Sequence, residues 1–321
     1  MNALEPYVQL IEEGLEKIEL PKTPENLYQP IEYFIQIGGK RIRPVLTLMA
    51  AELFGTKKEV ALPAALTIEL FHNFSLIHDD IMDEAPLRRG KQTVHEKWNS
   101  NIAILSGDVL FVIAYQELSK QSREHLFDLL NLFNKTAIEV CEGQQMDMDF
   151  ELLPTVTVEA YIEMIRLKTS VLLGCALQFG AIIAGASKKN QALIYEFGIN
   201  LGIAFQIQDD LLDLYGEPKS VGKQVGGDII ANKKTLLCIL AETHANQKNT
   251  LLLDEMFNEK DPVLKISKAK HLFKELDIFN KCNAEKERYM KLAIDALTAI
   301  ESPTNKDLFF EISNFLLNRD A

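Results

Sequence analysis

Apolar residues recur at three- and four-residue intervals along most of this chain, and that period restricts it to helices. From Pro44 to Phe54, Val45, Leu48, Met49 and Leu53 fall on one stripe, as an amphipathic helix requires. Ile102–Leu118, Leu126–Cys141, Tyr161–Ile183, Gln191–Tyr215, Ala284–Ile300 and Asn305–Leu317 repeat the pattern, and no alternating run suggests a strand. Turn-formers are scarce: 16 glycines and 11 prolines make 27 of 321 residues, below the ~12% of an average chain. Helix stops are legible at Gly55 and at Gly216 before Pro218. Thr157 with Glu159, and Asp307 with Glu311, mark starts. Ala61–Asp83 and Tyr161–Ala184 are apolar on more than one face, as central helices must be. The pattern predicts an all-α protein of about ten to fourteen helices around one core. No Ser/Gly tract, Pro-rich stretch or charge block divides it, so residues 1–321 read as a single domain.

Acidic residues number 46 against 34 basic ones, for a formal charge of −12. That balance disfavours nucleic acid as a partner, because phosphate contacts need excess Lys and Arg. A small anionic ligand would need local cations or metal. Cys141, Cys175, Cys238 and Cys282 are far apart and form no CxxC pair, which suits reduced thiols in a cytoplasmic protein. Met1–Lys17 carries four glutamates and no cationic start before an apolar run, unlike a signal peptide. The most apolar stretch, Val171–Ala186, is interrupted by Gln178 and is shorter than the ~20 residues of a membrane span, so no span is expected.

Two carboxylate triplets carry the chemistry. Asp79, Asp80 and Asp83 follow an apolar helical run, and Asp209, Asp210 and Asp213 repeat the spacing 130 residues later. Like charges four apart cost a helix a few tenths of a kcal/mol (~0.2–0.5) per pair, and carboxylates near a core call for a cation. All six are hard oxygen ligands without a Cys or His cluster, which favours Mg²⁺ over Zn²⁺. Mg²⁺ takes one or two carboxylates plus substrate phosphate oxygens. Cations duly follow each triplet: Arg88, Arg89 and Lys91 after the first, then Lys219, Lys223, Lys233 and Lys234 after the second. Arginine grips phosphate through two parallel bonds, and lysine binds it as a point charge. Gly222, Gly226 and Gly227 permit close backbone approach. Acid triplet then basic loop, twice, fits a metal-bound diphosphate held between two helices. Solvated acidic turns would explain one triplet but not the repeat.

Gly38 and Gly39 precede Lys40, Arg41, Ile42, Arg43 and Pro44. Three cations crowd a helix N-terminus already suited to an anion, which suggests a second anionic substrate. His72 lies two helical turns before Asp79. Lys168-Thr169 falls inside an apolar helix, where the lysine needs a carboxylate or phosphate partner. Asp147 and Asp149 are candidates to support such a site or to form a solvated turn. Asp108 has the context of a structural cap.

Together these residues resemble the trans-polyprenyl (isoprenyl) diphosphate synthases, the family of the farnesyl and geranylgeranyl diphosphate synthases. Gly39-Lys40-Arg41-Ile42-Arg43-Pro44 is similar to its isopentenyl diphosphate site. Asp79–Asp83 with Arg88-Arg89-Gly90 is similar to its first aspartate-rich motif, and Phe205-Gln206 with Asp209–Asp213 to its second. Gly222-Lys223, Lys233 and Gly143-Gln144 with Asp147 complete five ordered matches. The resemblance implies an all-α bundle of long helices around a deep central cavity, in one polyprenyl synthase domain over 1–321 and usually in a homodimer. It implies that Lys40, Arg43, His72 and Arg89 hold isopentenyl diphosphate. Arg88, Lys168, Thr169, Gln206, Lys223 and Lys233 would hold the allylic diphosphate or stabilise its departure. All six aspartates would bind Mg²⁺, usually three ions.

Chain length is read above the first triplet. Phe74 is five residues before Asp79, about 7 Å along a helix, and Phe71 eight before, about 12 Å. Either could floor the product tail or simply pack in the core. The resemblance sets Phe74, with Ser75 following and no insertion between Asp80 and Asp83, nearest the geranylgeranyl (C20) synthases, with farnesyl (C15) as the alternative. A terpene cyclase is a further rival, since Asp209 to Glu217 has cyclase spacing. However, Asp213 replaces its Ser/Thr, and a cyclase has no use for Lys40 and Arg43. A non-catalytic regulatory subunit would have lost aspartates that stand here, and a purely structural helical protein would not respond to Mg²⁺ and diphosphate.

Overall fold

The computed structural model describes residues 2–216 and 225–317. Among these, sixteen α-helices form, with one minimal hairpin. In order they are α1 (Glu5–Glu16), α2 (Glu25–Gln36), α3 (Ile42–Leu53), α4 (Leu62–Met82), β1 (Leu87–Arg88), β2 (Lys91–Gln92), α5 (Val94–Lys97), α6 (Ser100–Leu118), α7 (Arg123–Leu152), α8 (Val158–Ile165) and α9 (Val171–Ile183). Then come α10 (Lys188–Tyr215), α11 (Gly227–Ile230), α12 (Leu236–His244), α13 (Gln247–Phe257), α14 (Pro262–Glu275), α15 (Ile278–Ala299) and α16 (Asp307–Leu317). Two of them, α5 and α11, have four residues each, too few to print a 3.6-residue period on the sequence. The hairpin was equally illegible, since its strands are two residues long.

Helix ends follow local chemistry. Thr157 caps α8 by accepting from the Ala160 N–H at 3.2 Å. Asn99 caps α6 through the Ile102 N–H at 2.9 Å, satisfying donors a helix start leaves open. Between α8 and α9, Arg166–Ser170 winds as a π turn, with the Ser170 hydroxyl donating to the Ile165 carbonyl at 3.3 Å.

The chain divides into two compact units. The first comprises Met1–Thr136, Leu172–Tyr195 and Ile300–Lys306. In it α4 packs on α3 and α6, and Ile11, Ile31, Phe34, Val45, Leu48, Leu70, Phe71 and Phe133 are fully or almost fully buried. The second comprises Ala137–Val171, Glu196–Ala299 and Asp307–Ala321. Its core gathers Tyr161, Met164, Ile207, Leu211, Leu236–Ala241, Met256, Phe273 and Cys282. All four cysteines are free. By length and composition, three helices would suffice to cross a bilayer: Lys58–Met82, Ser100–Leu118 and Val158–Ile183. The third outruns the sequence estimate because the π turn joins α8 to α9, and 78% of its apolar window is buried inside the protein.

Candidate active site

In the first unit, α4 ends on the first triplet. Helical winding sets Asp79 and Asp83 on one face, with Asp79 partly covered and Asp83 exposed at the C-cap. Asp80 points inward and is 1% exposed. Arg88 reaches it from β1, donating from Nε at 2.8 and 2.9 Å and from Nη2 at 2.6 Å. Burial lifts the Asp80 carboxyl above its ordinary range, against the pull of Arg88. The hairpin that carries Arg88 turns through Arg89 (φ 53°) and Gly90 (φ 75°). Two successive positive φ values define the tight turn that suits a two-residue hairpin, and they push Arg89 outward.

The Gly38–Arg43 turn packs against that arginine. A Cβ on Gly39 would lie 2.7 Å from Arg89 Nη1, so a side chain there would displace the guanidinium. Arg43 Nη1 lies 3.2 Å from His72 Nε2. Burial pushes the His72 ring well below its ordinary pKa, and the guanidinium of Arg43 pushes it further. The ring is therefore neutral, and because arginine only donates, Nε2 accepts and the proton resides on Nδ1. Lys40 is exposed at the same turn, whereas Arg41 is buried. Of the four residues expected to bind isopentenyl diphosphate, Lys40 and Arg43 thus lie at this turn, His72 on the facing α4 and Arg89 on the hairpin packed against it.

In the second unit, α10 ends on the second triplet. Asp209 and Asp213 are partly covered, while Asp210 is 5% exposed. The Tyr161 hydroxyl donates to Asp210. Gln206 Nε2 and the Leu236 N–H donate to it at 3.4 Å. Burial pushes its carboxyl up to about 8, and Asp228 adds to the effect. Gln206 in turn accepts from the Thr169 hydroxyl at 3.3 Å. Lys168 donates to Asp147 at 2.6 Å, so the partner this lysine needed is a carboxylate on α7. The π turn carries Lys168 and Thr169 against Gly143, where a Cβ would sit 2.7 Å from the Leu167 carbonyl carbon. Asp149 accepts from Gln145 along α7, which runs on through both aspartates, so they form no turn. After α10, the Asp228 N–H donates to Asp213 at 3.1 Å and the Lys233 N–H to the Asp228 carbonyl at 2.9 Å. Lys234 is tied to Glu242 at 3.0 Å. Lys219, Gly222 and Lys223 lie outside the described residues.

In each triplet the middle carboxylate is buried and engaged, Asp80 by Arg88 and Asp210 by Tyr161. At 100° per residue it stands about 100° round the helix from the aspartate before it and about 60° from the one three residues later. All six carboxylates are hard oxygen donors of the kind Mg²⁺ takes. Among the described residues no three His, Cys, Asp or Glu form a cage, and Mg²⁺ needs only one or two carboxylates when phosphate oxygens complete its shell.

Phe71 and Phe74 belong to an aromatic cluster in the first unit. Phe74 stacks on Phe111 of α6 at 4.7 Å and 11°. Phe71 meets Phe74, Phe111 and Phe133 at 5.3 to 5.5 Å. The sequence reading missed Phe111, although Phe111 and Tyr115 stand four apart on a helix it identified. It also missed Glu69 and Tyr161, single residues with no motif around them.

A profile of the polyprenyl synthetase family matches residues 24–276. The chain is 36% identical over 321 residues to the short chain isoprenyl diphosphate synthase of Methanothermobacter thermautotrophicus, covering 100% of this chain and 98% of the relative. It is 36% identical over 317 residues to the geranylgeranyl pyrophosphate synthase of Geoglobus acetivorans, covering 97% of each. A crystal structure of geranylgeranyl pyrophosphate synthase superposes with a TM-score of 0.94 at 42% identity, covering 100% of both chains. Sharing the all-α fold and the sequence profile over most of its length, the chain belongs to the polyprenyl synthetase family.

Proposed function

We propose that this protein is a short-chain trans-prenyltransferase that joins isopentenyl diphosphate to allylic diphosphates and releases geranylgeranyl diphosphate. The observation that carries the reading is the pair of aspartate triplets, each at the C-terminal end of a long helix with its middle carboxylate buried. The full-length similarity to geranylgeranyl diphosphate synthases supports the C20 product. The family profile spans residues of both units, which supports one polyprenyl synthase domain over 1–321.

The two triplets, Asp79, Asp80 and Asp83 with Asp209, Asp210 and Asp213, would hold Mg²⁺, three ions in all, which supplies Lewis-acid stabilisation of charge on a departing diphosphate. Lys168, Lys223, Lys233 and Arg88 would donate hydrogen bonds to that same group and offset its charge. The allylic C–O bond breaks with its electron pair going to the diphosphate. The cation that remains faces oxygen: the Thr169 hydroxyl, through its lone pairs, and the Gln206 carbonyl. The Gln206 amide nitrogen lies 3.4 Å from Asp210 and its carbonyl towards the Thr169 hydroxyl. Lys40, Arg43, neutral His72 and Arg89 would bind isopentenyl diphosphate. Its double bond attacks the cation to form the new C–C bond, and a proton from the adjacent carbon passes to the departed diphosphate. The chain grows by five carbons (~ one isoprene unit, roughly one helical turn in length).

An exposed apolar stripe on α6, Ile104, Leu105 and Val112 at 42 to 57% exposure, supports a homodimer. The free cysteines support a cytoplasmic enzyme. The test is incorporation of radiolabelled isopentenyl diphosphate with dimethylallyl, geranyl or farnesyl diphosphate as primer. A C20 product whose formation stops with EDTA is expected; absence of any chain extension would overturn the reading.

A further inference from the structure

Arg41 sits between Lys40 and Arg43, yet it behaves unlike either. Its backbone is left-handed, φ 49° and ψ 30°, a conformation that residues with a side chain rarely adopt. Its side chain is directed into the protein and the residue is 3% exposed. Nε donates to Glu12 at 2.8 Å, Nη1 to Glu69 at 2.5 Å and Nη2 to the Ile35 carbonyl at 3.1 Å. All three nitrogens are therefore committed to protein acceptors. Glu69 is itself 3% exposed and lies three residues before His72 on α4. The charges of Arg43, Arg89, Arg88 and Arg41 all act on that histidine. Four guanidiniums gathered without substrate repel one another, and a buried anion at their base offsets the repulsion.

We propose that Arg41, gripped by Glu69 and Glu12, is a positioning residue for the isopentenyl diphosphate site, and that Glu69 is the buried counter-ion that keeps the cationic cluster assembled. Arg41 touches no substrate. It holds the turn in the left-handed conformation that leaves Lys40 exposed and sets Arg43 beside His72. Through Glu12, the first helix of the chain becomes part of the site's scaffold. The proposal rests on Lys40 and Arg43 being that site.

Glu69→Gln separates this role from simple electrostatics by sign. Removing an anion near a bound diphosphate should lower KM for isopentenyl diphosphate if Glu69 is merely a neighbour. If it anchors Arg41, KM should rise by about tenfold, the scale of one lost charge-assisted hydrogen bond, with allylic KM unchanged. Arg41→Met should do the same, and Arg41→Lys should recover part of the loss. Glu12→Gln, at a partner with 43% side-chain exposure, should give a smaller rise and settles the matter if Glu69→Gln does not fold. A fall or no change in KM for the folded Glu69→Gln enzyme overturns the proposal. If Glu69→Gln does not fold, unchanged KM for Glu12→Gln does so. Lys40→Ala and Arg43→Ala report on the site itself: if neither raises KM for isopentenyl diphosphate, the site assignment fails and the proposal falls with it. If both raise it while Glu69→Gln does not, the positioning role alone falls.

Discussion

Arg88 holds Asp80 through three hydrogen bonds of 2.6 to 2.9 Å, with side-chain exposures of 23% and 2%. The pair ties the hairpin to the end of α4, so Asp80 sets where Arg88 and Arg89 stand. Asp80→Asn leaves a guanidinium facing a neutral amide. Because Arg88 is partly hydrated, about 1–3 kcal/mol is expected rather than the ~3–5 of a fully buried pair. Turnover should fall at least about tenfold, the equivalent of ~1.4 kcal/mol, in a protein that still melts cooperatively. Steady-state rates and thermal unfolding check this, and an unchanged kcat would remove Asp80 from the machinery.

His72 gives a pH signature. Burial and the nearby arginines depress its folded pKa well below the ordinary value of 6.5. Above that value both folded and unfolded chains carry a neutral ring, so nothing is lost. As pH falls below 6.5 the unfolded chain takes a proton the folded ring refuses. Stability then drops by up to ~1.4 kcal/mol per pH unit, until the folded ring itself protonates. His72→Gln should remove one proton's worth of that slope, measured by urea unfolding at several pH values from neutral to mildly acidic. An identical slope in both proteins would contradict the neutral buried ring.

Product length should respond to the stacked pair Phe74 and Phe111. Phe74→Ala removes the ring one level above the first triplet, and Phe111→Ala removes the surface it stacks on. Each should shift products towards C25 and longer, at a stability cost below the ~3–5 kcal/mol of a fully buried ring, since both are half-buried. Chromatography of dephosphorylated products is the readout. Unaltered chain lengths in both variants would make these rings core packing alone.

Gly143→Ala should damage catalysis from outside the substrate's reach. The added methyl would lie 2.7 Å from the Leu167 carbonyl carbon and also collide with the Lys168 amide nitrogen. Overpacking of this kind costs about 1–3 kcal/mol, and relief requires the turn bearing Lys168 and Thr169 to back away. Lower kcat with a lower melting temperature is the expected result; wild-type turnover would show that the contact is not needed.

How far the sequence could be read follows the length scale of each feature. Long helices such as α4 and α10 imprint several periods, so their spans were legible to within a few residues. The triplets and the Lys40–Arg43 turn were legible because charge near an apolar run is unusual in itself. The inward direction of Asp80, Arg41 and Asp210 was not, since adjacent positions of like charge differ only by a helical step or a left-handed φ. Glu69 and Tyr161 were invisible for another reason: each works through one partner remote in sequence, at separations of 28 and 49 residues.

The π turn at Arg166–Ser170 makes the helix around it intolerant of length change. Deleting one residue there would let the backbone relax into regular winding and swing every later side chain by about 100° against the earlier ones. A relative could keep Lys168 and Thr169, lose a single neighbour, and no longer present them to the partners that Asp147 and Gln206 provide here. Counting residues between Ile165 and Val171 is therefore as informative about such relatives as naming them.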